Sequence, residues 1–141
     1  MSFPQLIRSE SVHFTAFGDA VYAGFPSPAD GFEKSPIDLN QHLLLNHVSS
    51  FLFRVKGESM TGIGIYDGDT LIVDRAITPV HNHIVLAVLD NQFTVKRLYQ
   101  RHDNVKLLAE NPAFKAIELR EGQELTIWGV VTFNLHNLLN V

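Results

Sequence analysis

Phe51-Leu52-Phe53-Arg54-Val55-Lys56-Gly57-Glu58-Ser59-Met60 reads as a strand that runs into a turn bearing a serine. Its first five residues have the β-branched and aromatic character of a strand. Gly57 permits a sharp backbone turn, and Ser59 follows at once. A serine on a tight turn at a strand end lifts its hydroxyl out of the sheet. The backbone N–H groups of Glu58 and Ser59 are then free to point at a substrate carbonyl, as an oxyanion hole requires. Serine after glycine is also ordinary turn chemistry. The turn becomes a nucleophile site only if an activating base stands within reach.

Working outward from that turn, the next informative stretch is Gln92-Phe93-Thr94-Val95-Lys96-Arg97-Leu98-Tyr99. It alternates as a strand does. Phe93, Val95 and Tyr99 share one face with Arg97, and Thr94, Lys96 and Leu98 share the other. Lys96 therefore sits beside an apolar neighbour, where it can project into a partly desolvated pocket. Taken alone, such a lysine is more often a snorkelling surface residue.

Together these stretches carry a resemblance. Gly57-Glu58-Ser59-Met60, then Asp67-Gly68-Asp69-Thr70-Leu71-Ile72-Val73-Asp74, then Phe93-Thr94-Val95-Lys96-Arg97-Leu98 are similar to the self-cleaving serine–lysine proteins of the LexA and UmuD type. Gly24-Phe25-Pro26-Ser27-Pro28-Ala29 and Ile37-Asp38-Leu39-Asn40-Gln41 resemble the segment before the catalytic domain in the UmuD branch. Each motif is weak alone. Their shared order, with the family's spacing from serine to lysine, is specific. The resemblance implies Ser59 as nucleophile, Lys96 as general base, and cleavage between a small residue and glycine, here Ala23 and Gly24.

Composition sets the outer limits. The chain has 141 residues, of which 45% are hydrophobic, which fits one domain with a real core and a short arm. Cysteine is absent, which excludes a disulfide framework and thiol chemistry and suits a reducing compartment. The formal charge is −4, with only 11 Lys and Arg and no basic run, so direct specific DNA binding is not expected. No apolar run approaches the ~20 residues a membrane span needs. Met1-Ser2-Phe3-Pro4 opens no secretory signal. The expectation is a cytoplasmic protein without membrane contact.

In chain order, residues 1–23 read as an extended arm. Val12, Phe14 and Ala16 alternate with His13, Thr15 and Phe17. The arm is too short for the helix-turn-helix domain that repressors of this type carry. Val21-Tyr22-Ala23-Gly24-Phe25-Pro26 is the junction; its composition also fits a plain linker, and the resemblance makes it the cleavage site. Residues 24–50 read as linker and one short helix, from Asp38 to Asn46. Asp38 is its N-cap, Gln41 completes a capping box, and Leu39, Leu43 and Leu44 give an apolar face. Residues 51–141 read as the catalytic β domain. Its strands are expected at 51–56, 70–75, 84–89, 92–99, 105–109, 117–119 and 125–133. Asp90-Asn91 suits a hairpin turn, and the apolar runs in 105–109 and 125–133 suit a largely buried sheet. The fold expected is mainly β: a compact twisted sheet of the LexA/UmuD C-terminal type, one short helix and an extended N-terminal arm.

Other constellations weigh less. His81-Asn82-His83 presents two imidazoles, but zinc needs three or four ligands and no cysteine exists. Asp67-Gly68-Asp69 lacks the further acidic offsets of an EF-hand loop and runs instead into a strand. His42 and His47 have no supporting motif. Seven histidines leave a Ser59–His–Asp arrangement open by composition, though none has a motif beside it. Trp128 and Phe133 read as core or interface. No metal and no cofactor is expected.

The mechanism the resemblance implies needs a neutral lysine. At a reference pKa of ~10.4, about one lysine in a thousand is neutral near pH 7.4, and burial lowers such values by up to ~3–5 units. Closing the arm over the site desolvates Lys96 in this reading. Glu58 is expected to face solvent, since an inward carboxylate raises a nearby lysine's pKa. The resemblance further implies a homodimer, a RecA–single-stranded-DNA filament as activator, and a UmuC-type translesion polymerase served by residues 24–141. Two alternatives remain open. One is a non-catalytic binding module of the same fold that regulates a polymerase. The other is a signal-peptidase-like enzyme, for which a membrane anchor is expected.

Overall fold

Asp90 and Asn91 both take positive φ, 49° and 65°. That is the left-handed pair a two-residue hairpin turn needs, and Asn and Asp accept it most readily. It joins two strands in strict antiparallel register, Leu89 facing Gln92 and Ile84 facing Arg97. The computed structural model describes residues 13–18, 20–26, 33–43, 45, 46 and 48–139. In chain order the elements are β1 (His13–Phe17), β2 (Lys34–Asp38), α1 (Leu39–His42), β3 (Ser50–Arg54), β4 (Thr70–Asp74), β5 (Ile84–Leu89), β6 (Gln92–Arg101), β7 (Asn104–Leu108), β8 (Ile117–Glu118) and β9 (Leu125–Leu135). Among the described residues the fold is mainly β with one short α-helix, as the sequence led us to expect, and a single 3-10 turn at Thr61–Ile63 follows the serine.

The chain divides into two compact units, Met1–Leu45 and Asn46–Val141. In the first, β1 and β2 form a two-stranded antiparallel sheet, with Phe14 facing Ile37 and Phe17 facing Lys34. Gly18 N–H donates to Glu33 O at 2.7 Å and closes the pair. Within the expected arm, His13–Phe17 is thus extended, but a strand inside the expected linker partners it. Pro36 sits in that strand and fixes an extended φ there.

The helix is shorter than its sequence pattern suggested. Asp38 does cap it, its carboxylate accepting from Asn40 N–H at 2.9 Å. The helix then stops, with Leu43 as C-cap and no residue buried. One turn buries no apolar stripe, so nothing extends it. Asn46, the expected end, instead directs the turn into β3: its carbonyl accepts from Ser49 and Ser50, and its side chain from Val48 N–H. Leu44 and His47 lie outside the described residues, as does Val12.

The second unit is a seven-stranded antiparallel sheet in the order β3-β4-β9-β5-β6-β7-β8. The last strand lies near the middle, between β4 and β5. Register shifts fall between Ile72 and Val73 on one side of β9 and between Leu86 and Ala87 on the other. Such bulges bend a strand and sharpen its twist. Gly129 is required there: a Cβ would lie 2.6 Å from Val73 Cγ1. Two apolar clusters follow. One gathers Val55, Met60, Ile65, Leu71, Val73 and Leu86; the other gathers Val85, Ala87, Leu98, Leu107 and Val130. Leu71, Leu98 and Leu107 are wholly or almost wholly buried, each worth about 1.5–3 kcal/mol relative to exposure. The first cluster carries the serine turn.

Candidate active site

Beyond β3 the chain turns at Gly57, whose φ is +95°. Only glycine takes that conformation without strain. Its N–H donates to Asp67 Oδ1 at 2.8 Å. Val55 N–H donates to Asp69 O, and Gly68 N–H to Val55 O, both at 2.9 Å. The Asp67-Gly68-Asp69 turn therefore laces the strand end that delivers the serine, a structural use of those carboxylates. Ser59 is half-buried and Glu58 is exposed. Among the described residues, the backbone N–H groups of Glu58 and Ser59 find no acceptor.

Lys96 comes from the middle of β6 and is 9% exposed. Its Nζ donates to Ser59 Oγ at 2.9 Å, to Thr94 Oγ1 at 2.9 Å and to Val95 O at 3.0 Å. Burial pushes its pKa down from the ordinary lysine value, because the low-dielectric surroundings penalise the ammonium. Both side chains line one cleft of about 230 Å³, whose apolar wall includes Phe53, Met60, Leu71, Leu86 and Phe93. The described residues that line it all belong to the Asn46–Val141 unit. Behind it, Trp128 meets Phe51 and Phe53 edge-on at 5.1 and 5.0 Å, and the Arg75 guanidinium lies over its ring at 4.2 Å. A hydroxyl in hydrogen-bond contact with a buried amine is the geometry that nucleophilic attack with a lysine base requires.

A histidine–aspartate pair does exist. His136 Nδ1 lies 2.5 Å from Asp69 Oδ1, but neither residue lines the serine's cleft. Asp69 is committed elsewhere, accepting from Tyr66 N–H and Asn134 Nδ2, each at 2.7 Å. His81 and His83 are also occupied: His81 Nδ1 accepts from Gln100 N–H and His83 Nδ1 from Val80 N–H. Among the described residues, no group of three or more His, Asp or Glu is arranged to hold a metal. No helix among them is long and apolar enough to cross a membrane.

Ala23 and Gly24 belong to the other unit. They are exposed and lie in the connection between β1 and β2, flanked by Val21 and Phe25 at 93% and 92% exposure.

A family model described as Peptidase S24-like matches residues 15–132. The chain belongs to the Peptidase S24-like family. It is a UmuD-type member, a serine peptidase of the self-cleaving kind. It is 39% identical to Protein ImpA of Salmonella typhimurium over 85% of this chain and 81% of that protein. To Protein MucA of Escherichia coli it is 40% identical over 82% of this chain and 79% of that one. To Protein SamA of Salmonella typhimurium it is 40% identical, over 92% and 91% of the two chains.

Two residues of this S24-like site were not singled out from sequence. Thr94 carries a signal, because strand alternation already puts it on the face of Lys96. Asn111, whose side-chain amide donates to the Glu58 carbonyl at 2.8 Å, carries none. Only the return of the chain after β7 brings it beside the serine turn.

Proposed function

We propose that this protein cuts its own chain between Ala23 and Gly24, with Ser59 as nucleophile and Lys96 as general base. The observation that carries the reading is the 2.9 Å contact between Lys96 Nζ and Ser59 Oγ, made by a lysine whose burial favours the neutral amine. Neutral Lys96 takes the Ser59 proton as Oγ attacks the Ala23 carbonyl carbon. The N–H groups of Glu58 and Ser59 stabilise the oxyanion. Collapse breaks the bond to nitrogen, and the Lys96 ammonium returns its proton to the Gly24 amine. Water, deprotonated by the same lysine, then hydrolyses the Ala23 ester and frees Ser59.

The apolar wall of the cleft suits the apolar residues Val21, Tyr22 and Phe25 around the bond, and small Ala23 suits a narrow approach to Ser59. Docking the segment expels water and disfavours the ammonium further, so whatever stabilises the docked state switches cleavage on. The UmuD type ties the protein to SOS mutagenesis after DNA damage. In this reading the activator is a RecA–single-stranded-DNA filament. The protein works in the cytoplasm as a homodimer, and residues 24–141 then act as accessory subunit of a UmuC-type translesion polymerase. Residues 1–23 are the removable arm, 24–50 the tether and 51–141 the catalytic domain.

Intact-mass spectrometry after incubation from pH 7 to 10 tests the chemistry, beside Ser59→Ala and Lys96→Ala. Fragments 1–23 and 24–141 are expected to grow with pH in the wild type and to be absent from both variants. A wild-type chain intact at every pH, and intact with activated filament, refutes the protease assignment.

A further inference from the structure

The serine turn is gripped from behind by the chain that follows β7. Glu110 N–H donates to Ser59 O at 2.8 Å, and Gly62 N–H donates to Glu110 O at 2.6 Å. Asn111 Nδ2 donates to Glu58 O at 2.8 Å and lies 3.4 Å from Thr61 Oγ1. The Glu110 carboxylate is paired with Arg97 Nε, and Arg97 Nη1 donates to Asn82 O at 2.7 Å. Strand β6 thus acts twice. It presents Lys96 to the Ser59 hydroxyl directly, and through the next residue, Arg97, it anchors the segment that holds the Ser59 backbone.

The grip bears on the oxyanion hole. The Glu58–Ser59 peptide is planar and trans, so its C=O and N–H point in opposite directions. Capturing the carbonyl on Asn111 fixes the direction of the Ser59 N–H, which has no acceptor of its own among the described residues. A free peptide plane rocks; one tied at its carbonyl presents its donor ready-oriented, which is what transition-state stabilisation requires.

We propose that Asn111 is a positioning residue for the cleavage reaction: its donated amide sets the Glu58–Ser59 peptide so that the Ser59 N–H meets the developing oxyanion. This rests on the serine–lysine reading above and extends it to a residue outside the dyad. Removing one oxyanion donor outright costs about 10²–10³ in rate. Loosening one without removing it is expected to cost roughly 10- to 100-fold.

Asn111→Asp in the full chain separates this role from a merely structural one. Asn111 also closes a local turn, its Oδ1 accepting from Ala113 N–H at 3.0 Å. Aspartate keeps that acceptor and the side-chain size. It replaces the donor facing Glu58 O with a second oxygen. Self-cleavage rates are measured from pH 7 to 10 by intact mass, with melting temperatures, for wild type, Ser59→Ala, Asn111→Asp, Asn111→Ser and Asn111→Gln. The expected result is a plateau rate roughly 10- to 100-fold lower in Asn111→Asp and in the uncharged Asn111→Ser, with the midpoint of the pH profile unchanged in Asn111→Ser; the added carboxylate of Asn111→Asp raises its midpoint by favouring the lysine's ammonium. Asn111→Gln, which carries an amide on a longer arm, recovers part of the loss. Asn111→Ser, too short to reach the carbonyl and uncharged, supplies the midpoint reading and also stands in for the rate if the aspartate variant does not fold. A rate within about threefold of wild type overturns the proposal. So does a midpoint displaced in Asn111→Ser, which adds no charge; that would mean that the segment acts on Lys96 instead. Ser59-dependent cleavage in the wild type with an unaffected Asn111→Asp sinks this inference alone. A wild type as inert as Ser59→Ala sinks the dyad and this inference with it.

Discussion

Gly62→Ala sets two physical effects against each other at the serine turn. Gly62 does not adopt a left-handed conformation, so backbone entropy favours alanine there. Packing forbids it: a Cβ at position 62 would lie 2.4 Å from Glu110 O and 3.2 Å from Glu110 C, both backbone atoms. Real Cβ atoms essentially never come within 3.0 Å of such a neighbour, so one segment must move by more than half an ångström. Overpacking costs ~1–3 kcal/mol and the strained Gly62–Glu110 hydrogen bond ~0.5–1.5, while the entropic gain returns ~0.4–1, leaving about 0.5–4 kcal/mol of destabilisation. For a domain of this size that lowers the melting temperature by roughly 2–20 °C. Calorimetry in a Ser59→Ala background removes self-cleavage from the measurement. Gly64→Ala is the control, since its site is sterically open but its φ is +85°, so its penalty is one of backbone conformation alone. Because Glu110 also holds Ser59 O, Gly62→Ala in the Ser59 protein is expected to slow cleavage as well. A melting temperature equal to or above that of the parent would show that the Glu110 segment is not packed against the turn as described, and the reasoning would fail.

Two further outcomes concern charge. Burial lowers the folded-state pKa of Lys96, so between that value and the unfolded value near ~10.4 the unfolded chain binds the extra proton and stability rises with pH. Lys96→Met, compared in the Ser59→Ala background, is therefore expected to melt higher at pH 7, with the advantage shrinking toward pH 10.5; a gap that is constant with pH would contradict a desolvated ammonium. Asp69 behaves oppositely. Burial raises its pKa, but hydrogen bonds from Asn134, His136 and Tyr66 N–H outweigh this and hold it below the ordinary carboxylate value. Its contribution is present above the unfolded pKa of ~3.9 and is lost as pH falls through the folded value. Asp69→Asn is expected to cost about 1–3 kcal/mol at pH 7, measured by urea unfolding, with the gap closing below about pH 4. A gap that persists or widens in acid would place the stabilisation elsewhere.

Much of this protein was already written in short-range pattern. Alternation alone put Thr94, Lys96 and Leu98 on one strand face, and Asp90-Asn91 announced a hairpin because those residues tolerate positive φ. Gly57 announced the turn that carries Ser59 for the same kind of reason. These features depend on neighbours within a few residues, which is why a sequence displays them. The helix over 38–46 had every local sign and failed beyond one turn. Propensity and a cap are weak forces without an apolar face to bury, and Asn46 was drawn into the turn leading to β3.

What the fold alone decided is long-range. Nothing in Leu125–Leu135 says that it inserts between β4 and β5, or that Gly129 is needed because Val73 crowds its backbone. Nothing in Lys34–Asp38 names His13–Phe17 as its partner. The sequence proposed Ser59 and Lys96 by resemblance, while their 2.9 Å contact and the burial of the amine exist only once β6 lies beside the Gly57 turn. Glu110 and Asn111 reach the serine backbone by the same means, through pairing of β6 with β7. A chain specifies its local conformations through its own sterics, but which distant segments meet depends on the one arrangement that buries both apolar clusters and satisfies their backbones together. The Ser59–Lys96 contact is of that second kind.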